Sequence, residues 1–433
     1  MPLPDPVIVV PGITANTLRD GYPLPPEDVW TVLSPDYDRA ALHPEDLRYE
    51  ATEPARVRPG QLFEIAYGEL IDALRHDLSP DADRPVPVYP FAYDWRQPLD
   101  DIEARLGAFV QEVIARTAIM PHYARDGYRA HGGVNLVGHS MGGLVIAGYI
   151  ERARTSSHVR KVVTLGTPYG GSFEAVLKVT TGTANLGASP PSTREREAAR
   201  LTPALYYLMP EVPNGVTADP GLPTSLYNPD AWQASVTRSI AEYIRLHGTD
   251  PNDIQGQADR LFRSLLRAAR SHRDRLDGLR LAQTGLRAED WLCVVGVNAE
   301  TRVRLQIVRL PDGTPDFRFH AEDRANQWND PVPENRAFTG DGTVPFAGAL
   351  PAFLKPENLV CVTPDDYGYW EVLDKMKVTI GGFHGLMANM DMLHRLIVRH
   401  FTGAADTHEN TWGRRAPGVA SWEPPLPLRE KGP

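Results

Sequence analysis

The stretch NLVGHSMGGLVIAGYI, Asn135 to Ile150, decides the fold. A short apolar run, Val134 to Val137, leads into Gly138-x-Ser140-x-Gly142. Apolar residues then follow at Leu144, Val145, Ile146, Tyr149 and Ile150, so the order is strand, tight turn, helix. A serine hydroxyl attacks a carbonyl only when a base takes its proton, and it must therefore stand clear of the sheet where an imidazole can reach it. The elbow provides that position, with Gly138 and Gly142 removing the Cβ atoms that would collide as strand and helix approach. The helix start also aims free N–H groups at the place where an oxyanion would form. The same five residues could instead be a glycine-rich turn without chemistry. A phosphate-cradling loop would need a lysine after the glycines, and none follows.

Working outward, apolar runs rich in β-branched residues occur at Val7–Val10, Val88–Tyr93, Asn135–Val137 and Val162–Leu165. Between the second and third, Leu99 to Met120 carries Ile102, Leu106, Phe109, Val110, Val113 and Ile114 on one helical stripe. This alternation predicts an α/β protein with a mostly parallel, doubly wound sheet. Ligands then belong at the carboxyl ends of the strands, where Gly12, Asp94, Ser140 and Thr167 fall.

The pattern divides the chain into a core over 1–171, an inserted helical cap over 172–289, a second core part over 290–402, and a Pro-rich tail over 403–433, expected to be partly loose. Within the cap, Leu261, Leu265, Ala269, Leu276 and Leu279 share one helix face. Arg260, Arg263, Arg267, Arg270 and Arg275 lie opposite, expected as a solvated face, with contact to an anionic membrane as the other reading. After Trp291–Asn298, Asp312-Gly313 marks the turn of a hairpin, and a further strand is expected around Leu359–Thr363.

At 433 residues and 42% hydrophobic content the chain can bury a large core, and its net charge of −10 argues against nucleic acid as a partner. The two cysteines, Cys293 and Cys361, sit in apolar runs and read as buried small hydrophobes, neither a disulfide framework nor a metal site. The opening MPLPDPVIVVPG has no basic segment and only a four-residue apolar run, so the expected compartment is cytoplasmic, with signal-independent export left open.

An elbow serine needs an acid and a histidine, in that chain order. Of Asp312, Asp316, Asp323, Asp330, Asp341, Asp365 and Asp366, the first suits a hairpin turn. Asp341, in GDGTVP, stands between glycines ahead of apolar residues, which suits a carboxylate held at a sheet edge, although an Asp-Gly turn would look the same. His384, in GGFHGL, has small neighbours that leave room for a substrate. His394 and His400 fall in the closing helix, and His139 should face away from the serine.

Together, VIVVPGITANTL (Val7–Leu18), FAYDWRQPL (Phe91–Leu99), LVGHSMGGLV (Leu136–Val145), TLGTPYGGS (Thr164–Ser172), GDGTVP (Gly340–Pro345) and GGFHGL (Gly381–Leu386) resemble the ordered motifs of the lecithin:cholesterol acyltransferase-like family, which includes lysosomal phospholipase A2 and phospholipid:diacylglycerol acyltransferases. The resemblance implies an α/β-hydrolase fold, Ser140 as nucleophile, Asp341 as acid and His384 as base. It also implies an oxyanion hole from the Ile13 and Met141 N–H groups, and a wall or anchor at Asp94-Trp95. The disulfide-closed loop and signal peptide of secreted animal members have no counterpart in the cysteine-free, Pro-rich segment from Tyr22 to Glu50. The expected activity is acyl-ester hydrolysis or O-acyl transfer on a lipid or other acyl ester, with no cofactor and no metal. A soluble carboxylesterase or thioesterase, or a silent binding protein, would carry the same fold. A membrane-lipid substrate would further require the acyl pocket to open toward a bilayer, with apolar side chains of the cap or of the Tyr22–Leu33 segment, such as Trp30, touching it.

Overall fold

Strands that are apolar on both faces belong in a sheet covered by helices on both sides. The computed structural model describes residues 3–21, 23–31, 37–42, 57–182 and 193–432. At its centre lie β1 (Val7–Val10), β2 (Val88–Pro90), β3 (Val134–His139), β4 (Val159–Leu165), β5 (Trp291–Gly296) and β6 (Val360–Val362). Their spatial order is β2-β1-β3-β4-β5-β6, and every neighbouring pair is parallel. The register sets Val9 beside Val137 and Val137 beside Val163, so one face of the sheet is a continuous row of branched side chains.

Helices α1 (Glu64–Leu78), α2 (Leu99–Ala118) and α3 (Met141–Ala153) follow β1, β2 and β3 in the chain. Leu70 and Leu74 of α1 join Val7, Val9, Val137 and Val294 on one side of the sheet. Leu106 and Val110 of α2 and Leu144 of α3 join Ile8, Val10, Leu136 and Val295 on the other. The α2 pattern works as its sequence suggests: Asp100 and Asp101 occupy the first turn and Arg116 the last, each matching the helix dipole. In α3 the residues from Met141 to Ile150 are all buried, because the cap lies over the side that the sheet leaves open.

The cap is mainly helical, and its longest element is α4 (Ile254–Asp277), capped by the Asp253 side chain on the Gly256 N–H. It is not purely helical. The hairpin expected at Asp312-Gly313 forms, with Leu305–Arg309 antiparallel to Pro315–Arg318. It pairs with the cap strand Val216–Ala218 and stays apart from the central sheet. Near the N-terminus, Asn16–Asp20, Glu27–Trp30 and Val57–Leu62 make a small antiparallel sheet that the Pro-rich sequence does not signal.

Three expectations need correction. Arg260, Arg263 and Arg267 are exposed, but Arg270 pairs with Glu211 and Asp274, and Arg275 reaches into the core. There it meets Glu103 at 2.8 Å, Asp100 at 3.0 Å and Glu151 at 2.9 Å, while His272 lies 2.7 Å from the same Glu103. Helix periodicity locates that row of arginines but cannot see acids contributed by α2 and α3. Trp30 is buried, edge-on to Trp95 at 5.0 Å and Tyr37 at 5.6 Å, so it cannot reach a bilayer; Tyr22 and Leu33 lie outside the described residues. The tail is not loose over its described part. Arg414 exchanges backbone hydrogen bonds with Cys361 of β6 at 2.9 and 3.0 Å, its guanidinium pairs with Asp366, and Trp422 donates to the Leu359 carbonyl.

Candidate active site

Ser140 ends β3 and opens α3 with φ 54° and ψ −130°, a conformation that strains any residue with a side chain. Its neighbours hold it there: the Ser140 N–H donates to the Leu165 carbonyl at 2.8 Å, and Gly143 N–H closes the turn on the Ser140 carbonyl at 3.0 Å. Gly142 is required because a Cβ there would overlap the Val10 carbonyl oxygen.

His384 stands in the short helix Phe383–Leu386, and Asp341 in a turn of the long connection between β5 and β6, where Gly340 and Asp341 bridge to Ala299. The His384 Nε2 lies 2.9 Å from Ser140 Oγ, and its Nδ1 lies 2.6 Å from Asp341 Oδ2. The other Asp341 oxygen accepts the Thr343 and Val344 N–H groups at 3.0 and 2.7 Å, so the carboxylate is 1% exposed yet fully bonded. Gly166 supplies the room for this pair: with φ +55°, a Cβ there would sit 3.0 Å from Asp341 Oδ2 and 3.2 Å from His384 Nδ1. The structure thus brings together Ser140, Asp341 and His384, from three separate parts of the chain.

The proposed oxyanion donors lie beside them. Met141 opens α3, where first-turn N–H groups have no intrahelical acceptor. The Ile13 N–H makes no hydrogen bond among the described residues, in a turn anchored by Tyr93 Oη on the Pro11 carbonyl at 2.7 Å and by the Gly12 N–H on Tyr67 Oη at 3.0 Å. Gly12 packs against the serine, since a Cβ there would come 2.9 Å from Ser140 Cβ.

The other candidates lie elsewhere. Asp312 is an exposed turn residue bonded to Thr314. His394 and His400 are buried in the closing helix, Asp391–Thr402, and bond to the Ala388 and Asp290 carbonyls. Cys293 and Cys361 are buried thiols. No group of three or more potential metal ligands occurs among the described residues. The His139 ring bonds to Tyr67 and to the His384 carbonyl, not to the serine, so it is not placed as the serine's base. Sequence reasoning misses Tyr67 altogether, because nothing in its own stretch signals a partner 72 positions away.

Asp94 is an anchor. It forms a two-pronged pair with the fully buried Arg96 at 2.9 and 2.8 Å and accepts Gln97 at 3.1 Å, while Arg96 also donates to the Ala40 carbonyl. Burial alone would raise the Asp94 carboxyl, but the Arg96 charge and the hydrogen bonds outweigh it and hold the pKa below the ordinary value. Its stabilisation is therefore complete above the unfolded value of about 4 and is lost as pH falls through the lower folded value. Asp94→Asn leaves Arg96 buried without its counter-charge, and a loss of about 3–5 kcal/mol is expected from urea unfolding at pH 7. An unfolding midpoint equal to wild type would show that the pair anchors nothing.

A parallel sheet whose strand-to-helix turn carries a strained serine, hydrogen-bonded to a histidine that is itself bonded to an aspartate, both from later in the chain, defines the α/β-hydrolase fold. Over residues 84–240 the chain matches the lecithin:cholesterol acyltransferase family model, which bears out, over that span, the resemblance read from the motifs. No curated protein matches it. Among solved structures, the crystal structure of a Tle4–Tli4 complex aligns with 81% of this chain and 89% of that one, at 16% identity and a TM-score of 0.56, and shares the fold. The phospholipase PlaB from Legionella pneumophila in complex with thio-NAD (16% identity, 56% of this chain, 36% of that chain, TM-score 0.26) and the lin2722 product of Listeria innocua (16%, 65%, 97%, 0.20) are too distant in shape to carry an argument. The family match supports an enzyme of the esterase or acyltransferase type that acts on lipid esters.

Proposed function

We propose that this protein is a serine-dependent lipid acyl-ester hydrolase or O-acyltransferase that works through an acyl-Ser140 intermediate. The observation that carries the reading is the hydrogen-bonded chain from Ser140 Oγ through His384 to Asp341. Ser140 Oγ attacks the ester carbonyl while His384 Nε2 takes its proton, and Asp341 stabilises the imidazolium that results. The carbonyl oxygen becomes an oxyanion facing the Ile13 and Met141 N–H groups, each donor worth roughly 3 kcal/mol in the transition state. Collapse of the tetrahedral adduct breaks the ester C–O bond, and His384 returns its proton to the departing alcohol. The acceptor, water or a lipid alcohol, then loses a proton to His384 and attacks the acyl-serine, releasing acid or a new ester. These steps use the chain's own groups alone.

A lipid surface as partner is supported by the segment just before His384. In α5 (Val372–Gly381) and the residues leading to it, Tyr369 is 80% exposed, Trp370 90%, Leu373 71% and Met376 61%, whereas Glu371 and Asp374 point inward at 8% and 7%. Apolar groups face water and acids face the protein, the reverse of an ordinary surface helix. Tyrosine and tryptophan suit the headgroup layer of a bilayer. This patch takes the place that the sequence assigned to Trp30. No described helix is long and apolar enough to cross a membrane, so the contact proposed is peripheral.

Incubation with mixed phospholipid vesicles and candidate alcohols, followed by mass spectrometry of every acyl product, tests the reading. Fatty acid alone means hydrolase, a new ester means transferase, and preference for soluble acetate or butyrate esters, indifferent to vesicles, sinks the lipid reading. Trp370→Ser with Leu373→Ser is expected to cut vesicle-bound turnover about tenfold or more, because each exposed large side chain contributes roughly 1.5–3 kcal/mol on burial. Hydrolysis of a soluble ester should stay unchanged. Equal vesicle turnover in the double variant would remove the patch from the lipid contact.

A further inference from the structure

Behind the serine runs a second hydrogen-bonded chain. The Gly12 N–H lies 3.0 Å from Tyr67 Oη, Tyr67 Oη lies 2.7 Å from His139 Nδ1, and His139 Nε2 lies 2.8 Å from the His384 carbonyl oxygen. Its two ends fix every proton in between. A carbonyl only accepts, so Nε2 of His139 must carry the hydrogen and Nδ1 must offer its lone pair. Tyr67 therefore donates to Nδ1 and accepts from Gly12, which is a backbone donor. Tyr67 and His139 are both buried, at 1% and 4% exposure, so no bulk water competes for these bonds.

The two ends are the two halves of the proposed chemistry. Gly12 immediately precedes Ile13, the proposed oxyanion donor, and packs against Ser140. His384 is the proposed base, and the His139 ring lies 5.1 Å from its ring, tilted by 36°. We propose that Tyr67 and His139 are positioning residues: they tie the oxyanion turn to the main chain of the base, so that donor, nucleophile and imidazole hold one fixed spacing. The inference rests on the function proposed for Ser140 and His384. Two purely apolar side chains could fill the same volume, and what they could not do is hold Gly12 and His384 to a common reference. Preorganised donors act only when they already point at the developing charge, so loosening this chain costs rate in the transition state and leaves ground-state binding alone. Burial first, and the neighbouring His384 second, push the His139 pKa down to about 3, which keeps His139 neutral while His384 exchanges its proton.

The test uses Tyr67→Phe, His139→Leu and His139→Gln on a soluble p-nitrophenyl ester. Tyr67→Phe and His139→Leu are expected to lower kcat about tenfold or more with KM within about twofold, since the donors are loosened and not removed. Glutamine can accept from Tyr67 and donate to the His384 carbonyl at once, so it should recover most of the loss seen with leucine. A Tyr67→Phe kcat within twofold of wild type overturns the proposal, as does a change confined to KM, or equal losses for glutamine and leucine. If His139→Leu fails to fold, Tyr67→Phe decides, since it removes one oxygen and leaves the ring. Ser140→Ala run alongside separates the two readings. Activity there above a tenth of wild type defeats the proposed function, whereas an inactive Ser140→Ala beside an unimpaired Tyr67→Phe defeats only the positioning role.

Discussion

Ser140→Ala is expected to lose turnover by at least about 10⁴-fold while the protein remains folded. Without the nucleophile, only the oxyanion donors and substrate binding remain, and in serine enzymes these account for a small residue of the catalysis. The substitution removes a hydroxyl from a nearly closed site and leaves almost no cavity, so the thermal midpoint should move little. Ser140→Gly sharpens the test. At φ 54° and ψ −130° the serine sits where glycine is far more at ease, so the glycine variant should be just as inactive yet more stable, by about 1 kcal/mol. Activity in either variant above a tenth of wild type would show that the reacting group lies elsewhere. A fluorophosphonate should label wild type and neither variant, which locates the nucleophile by covalent chemistry as well as by rate.

The second large effect concerns the acid. Asp341→Asn should lower kcat by roughly 10⁴-fold, because an amide facing His384 Nδ1 selects the wrong tautomer and no longer balances the imidazolium. Asparagine keeps the oxygen that accepts the Thr343 and Val344 N–H groups, so the turn should survive and the loss be chemical. Asp312→Asn, in the exposed hairpin turn, should leave kcat within twofold. If the two variants exchanged these outcomes, the assignment of the acid would be wrong.

What the sequence reveals and what it hides divide along a physical line. The elbow is legible because Gly138, Ser140 and Gly142 act on neighbours within a few residues, and because β3 and α3 announce themselves by periodicity. Asp341 and His384 are legible as positions, since each stands among small residues at the end of a strand or the start of a helix. Pairings made across the fold leave no local trace. Tyr67 meets His139 across 72 positions, Arg275 meets Glu103 across 172, and Trp30 is covered by Trp95 through a small sheet that no hydrophobic alternation announces. The outward-facing apolar residues of α5 and of the turn leading into it are hidden for another reason: Trp370, Leu373 and Met376 have the spacing of a buried stripe, and only solvent exposure tells that the stripe faces out.

The tail that bonds to Cys361 has a consequence for handling the protein. Strand β6 is the last of the central sheet, and its outer row of N–H and C=O groups would otherwise be open to any extended chain. The residues around Arg414 occupy that row, pinned by the pair with Asp366 and by Trp422. Removing them would leave a buried-type strand bare along one side, free to zip onto its counterpart in another molecule. A chain cut after Thr402 should therefore gather into oligomers that grow with concentration on a sizing column, and a purification handle belongs at the other end.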